Sequence, residues 1–130
     1  MLSRGLISGH WTKETGQGGR DFRAHSPRFQ GENLDANLKL AEALRGVAEA
    51  KGVTTAQAAI AWVASRGDDI APLIGARRRD RLSEALGALE VNLTAEDLAA
   101  IEAAVPESAV AGTRYAEAMM RHLDSEKRAG

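Results

Sequence analysis

A short apolar run, Ile70-Ala71-Pro72-Leu73-Ile74, ends at Gly75 and gives way at once to helical spacing whose opening turns carry Arg77, Arg78 and Arg81. This junction constrains the chain more than any other stretch. A run of that length fits a buried strand or a piece of buried helix, and periodicity alone does not separate the two. Pro72 argues against a continuous helix, yet it cannot donate a ladder hydrogen bond and so also demotes the run to an edge or a strand start. The arginine-bearing helix start is clearer in its chemistry. Basic residues at a helix start oppose the helix dipole, a cost that a bound anion offsets. A small residue lets backbone approach such an anion, free N–H groups at the helix start point at it, and guanidinium groups fork onto its oxygens. Without further context the same residues read more readily as a solvated basic surface, balanced by Asp80 and Glu84.

The rest of the chain is mainly helical in pattern. Leu40, Ala41, Leu44, Val47 and Ala48 form one apolar stripe, which predicts a helix from about Asn33 to Lys51. Gly52 stands where a helix end favours a left-handed residue. Thr54-Thr55-Ala56-Gln57 is a capping-box pattern that opens a second helix, with Ala56, Ala59, Ile60 and Val63 inward and an end near Arg66-Gly67. A third helix is expected from about Arg78 to Gly87, with Leu82, Leu86 and Ala85 facing in. A fourth opens at Thr94-Ala95-Glu96-Asp97, carries Leu98 and Ile101 on its apolar side, and stops by Pro106. Between Arg114 and Leu123, Met119, Met120 and Leu123 make the apolar side of a final turn or two. Residues 1–32 are polar and glycine-rich, with nothing periodic. A loop this long is either functional or disordered, and both readings stand.

Composition narrows the classes of function. At 130 residues the chain suffices for one domain with a moderate core, and 44% hydrophobic with 27% charged residues is ordinary for a soluble globular protein. With 4% aromatics, that core must be built from Ala, Leu, Ile and Val. A net charge of −1 argues against a nucleic-acid or anionic-membrane binder. There is no cysteine, hence no disulfide, thiol nucleophile or thiolate metal site, and the three histidines lack ligand spacing. No sustained apolar stretch marks a signal peptide or membrane span, so a soluble cytoplasmic protein is the expectation.

The chain resembles the C-terminal portion of the aldo-keto reductases. Four stretches carry the likeness: Leu2-Ser3-Arg4-Gly5 and the residues to Gly9, Ala48 to Val63, Ile70 to Leu86, and Leu86-Gly87-Ala88 with Leu93-Thr94 and Asp97-Leu98. The likeness runs from Leu2 to about Arg121. It implies an α/β fold, the last part of a TIM (β/α)8 barrel, with Ile70 to Ile74 as a strand and the barrel incomplete in this chain. Barrels of this type usually need about 250 residues. One portion of such a domain would then occupy 1–130, with a Gly-rich loop region over 1–32 and a C-terminal tail over 107–130. The long loop would be a cover near the cofactor, or disordered.

The cofactor implied is NADPH, and the implied chemistry is hydride transfer between NADPH and an aldehyde or ketone. By resemblance, Arg77 and Arg81 match positions facing the adenosine 2'-phosphate, with Arg78 a helper, and Gly75 and Ala76 present backbone near the ribose phosphate. Glu84 matches the carboxylate that accepts from the adenine amino group. Ala85 stands where the family most often has Asn, a departure that puts one adenine contact in doubt. Leu2, Arg4 and Gly5 match the loop that wraps the pyrophosphate, although as isolated residues they read equally as a frayed N-terminus. The family's catalytic Tyr, Lys, Asp and His lie on earlier strands, and Tyr115, His10, His25 and His122 match none of them. This portion therefore implies cofactor grip without a catalytic centre, and a tail from Ala109 to Leu123 that walls a small-molecule carbonyl substrate pocket. Lone strands and uncovered helix faces are aggregation-prone. The chain is accordingly expected to be loose, or to need the rest of a barrel or self-association. The alternative is a non-enzymatic helical module that binds protein or nucleic acid, its second helix and Arg-rich element read as a helix-turn-helix.

Overall fold

Two capping boxes set the helical frame. Thr54 Oγ1 accepts the Gln57 N–H at 3.2 Å while the Gln57 carboxamide accepts the Thr54 N–H at 3.0 Å. Thr94 and Asp97 repeat the exchange at 3.3 and 2.9 Å. Each box satisfies two N–H groups that a helix start otherwise leaves open. In this computed structural model, which describes residues 3–8 and 22–123, five α-helices result among the described residues. They are α1 (Gly31–Lys51), α2 (Thr55–Ala64), α3 (Arg79–Leu86), α4 (Ala95–Ala104) and α5 (Glu117–Met120). Gly52 ends α1 at φ 75°, the left-handed cap its position predicts. Short 3₁₀ turns at Ser3–Gly5, Phe22–His25, Pro27–Phe29, Gly87–Glu90 and Glu107–Ala109 fill in between. Residues 1–2 and 9–21 of the predicted Gly-rich region, His10 among them, lie outside the described residues.

The main core forms where α1, α2 and α4 meet. Leu44, Ala59 and Ile101 are buried together, with Ile7, Val47, Trp62, Leu93 and Val105 packed around them. Alanine makes this possible in a chain so poor in aromatics: Ala56, Ala58, Ala59 and Ala61 are all buried with Ile60, so α2 has neighbours on several sides at close range. Ion pairs tie the layer at its rims, Lys51 of α1 to Asp97 of α4 and Arg66 to Glu102 at 2.8 Å. The Arg66 guanidinium also lies over the half-buried Trp62 ring, 5.1 Å from its centre. A second, smaller cluster joins Ile60 to Ala85 and Ala88 and seats α3 and its following turn on α2.

The tail from Glu107 onward is docked by polar contacts. Asn37, 3% exposed on α1, donates to the carbonyls of Arg28 and Ala111 at 3.1 and 2.8 Å and accepts the Ala111 N–H at 2.9 Å. Gly112 follows at φ 79°, where an added Cβ would stand 2.9 Å from the Pro27 carbonyl carbon. Glycine is required there on both counts. The Gly112 carbonyl accepts from Arg28 Nε at 3.2 Å.

Three expectations are corrected. No strand occurs among the described residues, so Ile70 to Ile74 is not one here. The stretch lies open, with Leu73 85% exposed, because a strand exists only with a neighbour to take its N–H and C=O groups. Leu82 and Leu86 were expected inward but are exposed, and Ala85 alone of that trio is buried. Only one side of the short α3 meets α2, and those leucines lie off it. Met119 is likewise exposed, since α5 is a single turn with no buried residue. No described helix is long and apolar enough to cross a membrane. Residues 65–78 separate α2 from α3, far more than the three or four of a helix-turn-helix.

Candidate functional site

Two parts of the chain about seventy residues apart come together around one groove of about 380 Å³. One wall is the N-terminal turn, with Arg4, Gly5 and Ser8. The other is Leu73, Ile74 and Gly75 with Arg81, Glu84 and Ala85 of α3, and Ala56 and Ile60 of α2 lie between them. Both walls are positioned by packing on α2. Ala85 and Ala88 sit against Ile60, which sets α3 so that Arg81 and Glu84, one turn apart, face the groove.

The N-terminal wall is a tight turn of left-handed residues: φ is 45° at Ser3, 58° at Arg4 and 96° at Gly5. Such values are rare outside glycine and mark a strained backbone. Several contacts hold it. Arg4 Nη1 donates to Ser26 Oγ at 2.7 Å, the Arg4 carbonyl accepts from Arg23 Nη1 at 2.9 Å, and Ser8 Oγ donates to the Gly5 carbonyl at 2.6 Å. The Tyr115 ring lies under the Arg4 guanidinium, 4.4 Å from its carbon to the ring centre, a cation–π contact that brings the tail to this turn.

On the opposite wall Arg81 Nη1 stands 3.3 Å from Glu84 Oε2, the glutamate side chain being only 15% exposed. Arg78, at the N-cap of α3, forks onto Asp80 with bonds of 2.9 and 2.8 Å and holds the Asp80 carboxyl below its ordinary value. Gly75 carries no positive φ, and a Cβ there would meet nothing within 4 Å. The fold of the described residues therefore does not itself demand glycine at this position.

Of the residues singled out from sequence, the groove gathers Arg4, Gly5, Gly75, Arg81, Glu84 and Ala85. Ala76, Arg77 and Arg78 are exposed and do not line it. Arg78 is turned to Asp80, and Ala76 and Arg77 stand in the open stretch before α3. Leu2 lies outside the described residues. Sequence reasoning did not mark Ser8, Ala56, Ile60, Leu73 and Ile74 as groove residues. Ala56 and Ile60 were legible only as core, because a helix position that is both core and groove wall carries no distinct pattern.

A second concavity of about 350 Å³ adjoins the first through Arg4 and is lined by Ser3, Arg4, Arg28, Phe29, Arg114 and Tyr115. It joins the N-terminal turn, the Pro27–Phe29 turn and the docked tail. Among the described residues no group of His, Asp and Glu side chains could hold a metal ion.

The arrangement defines a class: a small helical protein with a groove between a strained N-terminal turn and a helix bearing arginine and glutamate, of a size suited to a small organic ligand. Comparison with known proteins narrows it. The profile of the Aldo/keto reductase family matches residues 2–106, and this chain belongs to that family. A protein of Glycine max named probable aldo-keto reductase 1 is 41% identical over 114 residues, covering 88% of this chain and 33% of the relative. The aldo-keto reductase yakc of Schizosaccharomyces pombe, whose name specifies NADP(+), is 36% identical over 114 residues, again 88% of this chain and 34% of the relative. The chain thus spans about one third of the length of these curated relatives. No solved structure gives a significant match.

Proposed function

We propose that this chain is the NADPH-binding, C-terminal portion of an aldo-keto reductase barrel, and that its groove grips the adenosine end of the cofactor. The observation that carries this reading is the convergence of Arg4, Gly5 and Ser8 with Gly75, Arg81 and Glu84 on one groove. Arg81 would fork onto the 2'-phosphate, and Glu84 would accept from the adenine amino group. Gly75, whose missing side chain leaves open space, would let the ribose phosphate approach backbone. The left-handed turn at Ser3–Gly5 would present Arg4 to the pyrophosphate. Arg77 and Arg78 are exposed and outside the groove lining, and would add positive charge on the phosphate side rather than line the groove.

NADPH itself supplies the hydride. The residues of this chain hold and orient it, and the adjoining concavity formed by the tail would wall the carbonyl substrate. The catalytic tetrad would be contributed by residues absent from this chain. Tyr115, its one tyrosine, lies against Arg4 in the tail. Each charge-assisted hydrogen bond to a phosphate is worth about 1.5–3 kcal/mol. Two such bonds favour NADP+ over NAD+ by roughly two to four orders of magnitude. The test is calorimetric titration of the chain with NADP+ and NAD+, on the parent and on Arg81→Gln. The expected result is a preference for NADP+ that falls at least about tenfold in the variant. Equal affinity for the two nucleotides would overturn the assignment.

A further inference from the structure

The carboxamide of Gln57 is bonded at both ends, to two different helices. Its Oε1 accepts the Thr54 N–H at 3.0 Å and so completes the box that opens α2. Its Nε2 donates at 3.1 Å to the main-chain carbonyl of Glu84, in the last turn of α3. A helix leaves its final carbonyls without intrahelical partners, so one side chain caps the start of α2 and the end of α3 together. The space around it is closed: a Cβ placed on Gly87, just past α3, would stand 2.5 Å from Gln57 Nε2. The carboxamide therefore lies against a residue with no side chain to displace it. Ala85, the sole buried residue of α3, seats the helix on Ile60 through a small apolar cluster, and the Gln57 bond adds a directional constraint to that contact.

From this geometry we infer that Gln57 is a positioning residue for the cofactor groove, holding α3 at the angle and height that aim Arg81 and Glu84 across it at Arg4. The inference rests on the cofactor reading for its functional consequence but not for its structural one. A capping box alone would be served equally by glutamate at this position, since glutamate accepts the N-cap N–H as well as glutamine does. Only the bond to the Glu84 carbonyl requires the NH2 group, because a carboxylate there is acceptor-only and faces a carbonyl oxygen.

That difference supplies the test. Gln57→Glu keeps the cap of α2 and loses the tether to α3, whereas Gln57→Ala loses both. Two readouts are taken on the 130-residue chain: amide hydrogen exchange along α2 and α3 without ligand, and affinity for 2',5'-ADP, a probe carrying only the adenosine phosphate half of the cofactor. In Gln57→Glu, exchange is expected to rise about tenfold in α3 with α2 unchanged, and 2',5'-ADP affinity to fall by about the same factor. In Gln57→Ala both helices loosen. Unaltered exchange of α3 in Gln57→Glu overturns the tether whatever the ligand does. If α3 loosens while 2',5'-ADP affinity holds, the positioning role is overturned. Failure of the parent chain to bind 2',5'-ADP would overturn the cofactor reading and the positioning role with it. The exchange data would still decide whether the tether between the helices exists.

Discussion

Removing the Asn37 side chain should detach the tail from the body of the protein. The substitution is Asn37→Ala, at a site 3% exposed. Three hydrogen bonds are lost, two donated to the Arg28 and Ala111 carbonyls and one accepted from the Ala111 N–H. Each such bond contributes about 0.5–1.5 kcal/mol net, and an enclosed group left without a partner costs about 1–3 kcal/mol. Water reaching part of the opened site offsets some of this, so a loss of about 2–4 kcal/mol is expected. Denaturant unfolding followed by far-UV circular dichroism gives the total, and hydrogen exchange at Ala111 reports the local event. Asn37→Asp sharpens the test. A carboxylate would face two carbonyl oxygens, so this variant should be weaker than Asn37→Ala at neutral pH and should recover when acid protonates it. A loss below about 0.5 kcal/mol in Asn37→Ala, with exchange at Ala111 unchanged, would refute the idea that this clamp docks the tail.

The surface gives two other expected outcomes. The Asp97 carboxyl is held below its ordinary value of 3.8, first by the hydrogen bond from Lys51 and then by the Thr94 N–H. A carboxyl depressed in the folded state lends stability above its unfolded value and withdraws it as pH falls through the folded one. Asp97→Asn should therefore flatten the fall in melting temperature as pH is lowered below about 4, and parallel curves for parent and variant would contradict the assignment. The leucines at 73, 82, 86 and 89 are exposed by 85, 47, 55 and 77%. The parent should thus bind a hydrophobic dye and sediment with concentration-dependent mass, both reduced in Leu73→Ser/Leu89→Ser, and a strictly monomeric, dye-silent parent would count against an uncovered apolar face.

Local chemistry made the helices legible. Thr54 with Gln57, Thr94 with Asp97 and Gly52 mark helix ends because a cap satisfies open backbone groups within a few residues, and that requirement is written in adjacent sequence. Arg4, Gly5, Gly75, Arg81, Glu84 and Ala85 were legible as a set because a family pattern links them. Their meeting in one groove was not written locally, since it depends on Ile60, Ala85 and Ala88 seating α3 against α2.

Where local pattern and tertiary context competed, context decided. Ile70 to Ile74 carries strand-like residues but lies open, because strand formation is a property of pairs of segments. Leu82 and Leu86 have helical spacing for burial and yet face solvent, because which side of a short helix is covered depends on its neighbour. Asn37, an ordinary polar residue within an amphipathic helix, became the clamp of the tail only when residues 28 and 111 were folded against it. Gln57 shows both levels in one side chain. Its bond to Thr54, three residues away, is written in adjacent chain, whereas only the seating of α3 on α2 brings the Glu84 carbonyl within reach of the same carboxamide.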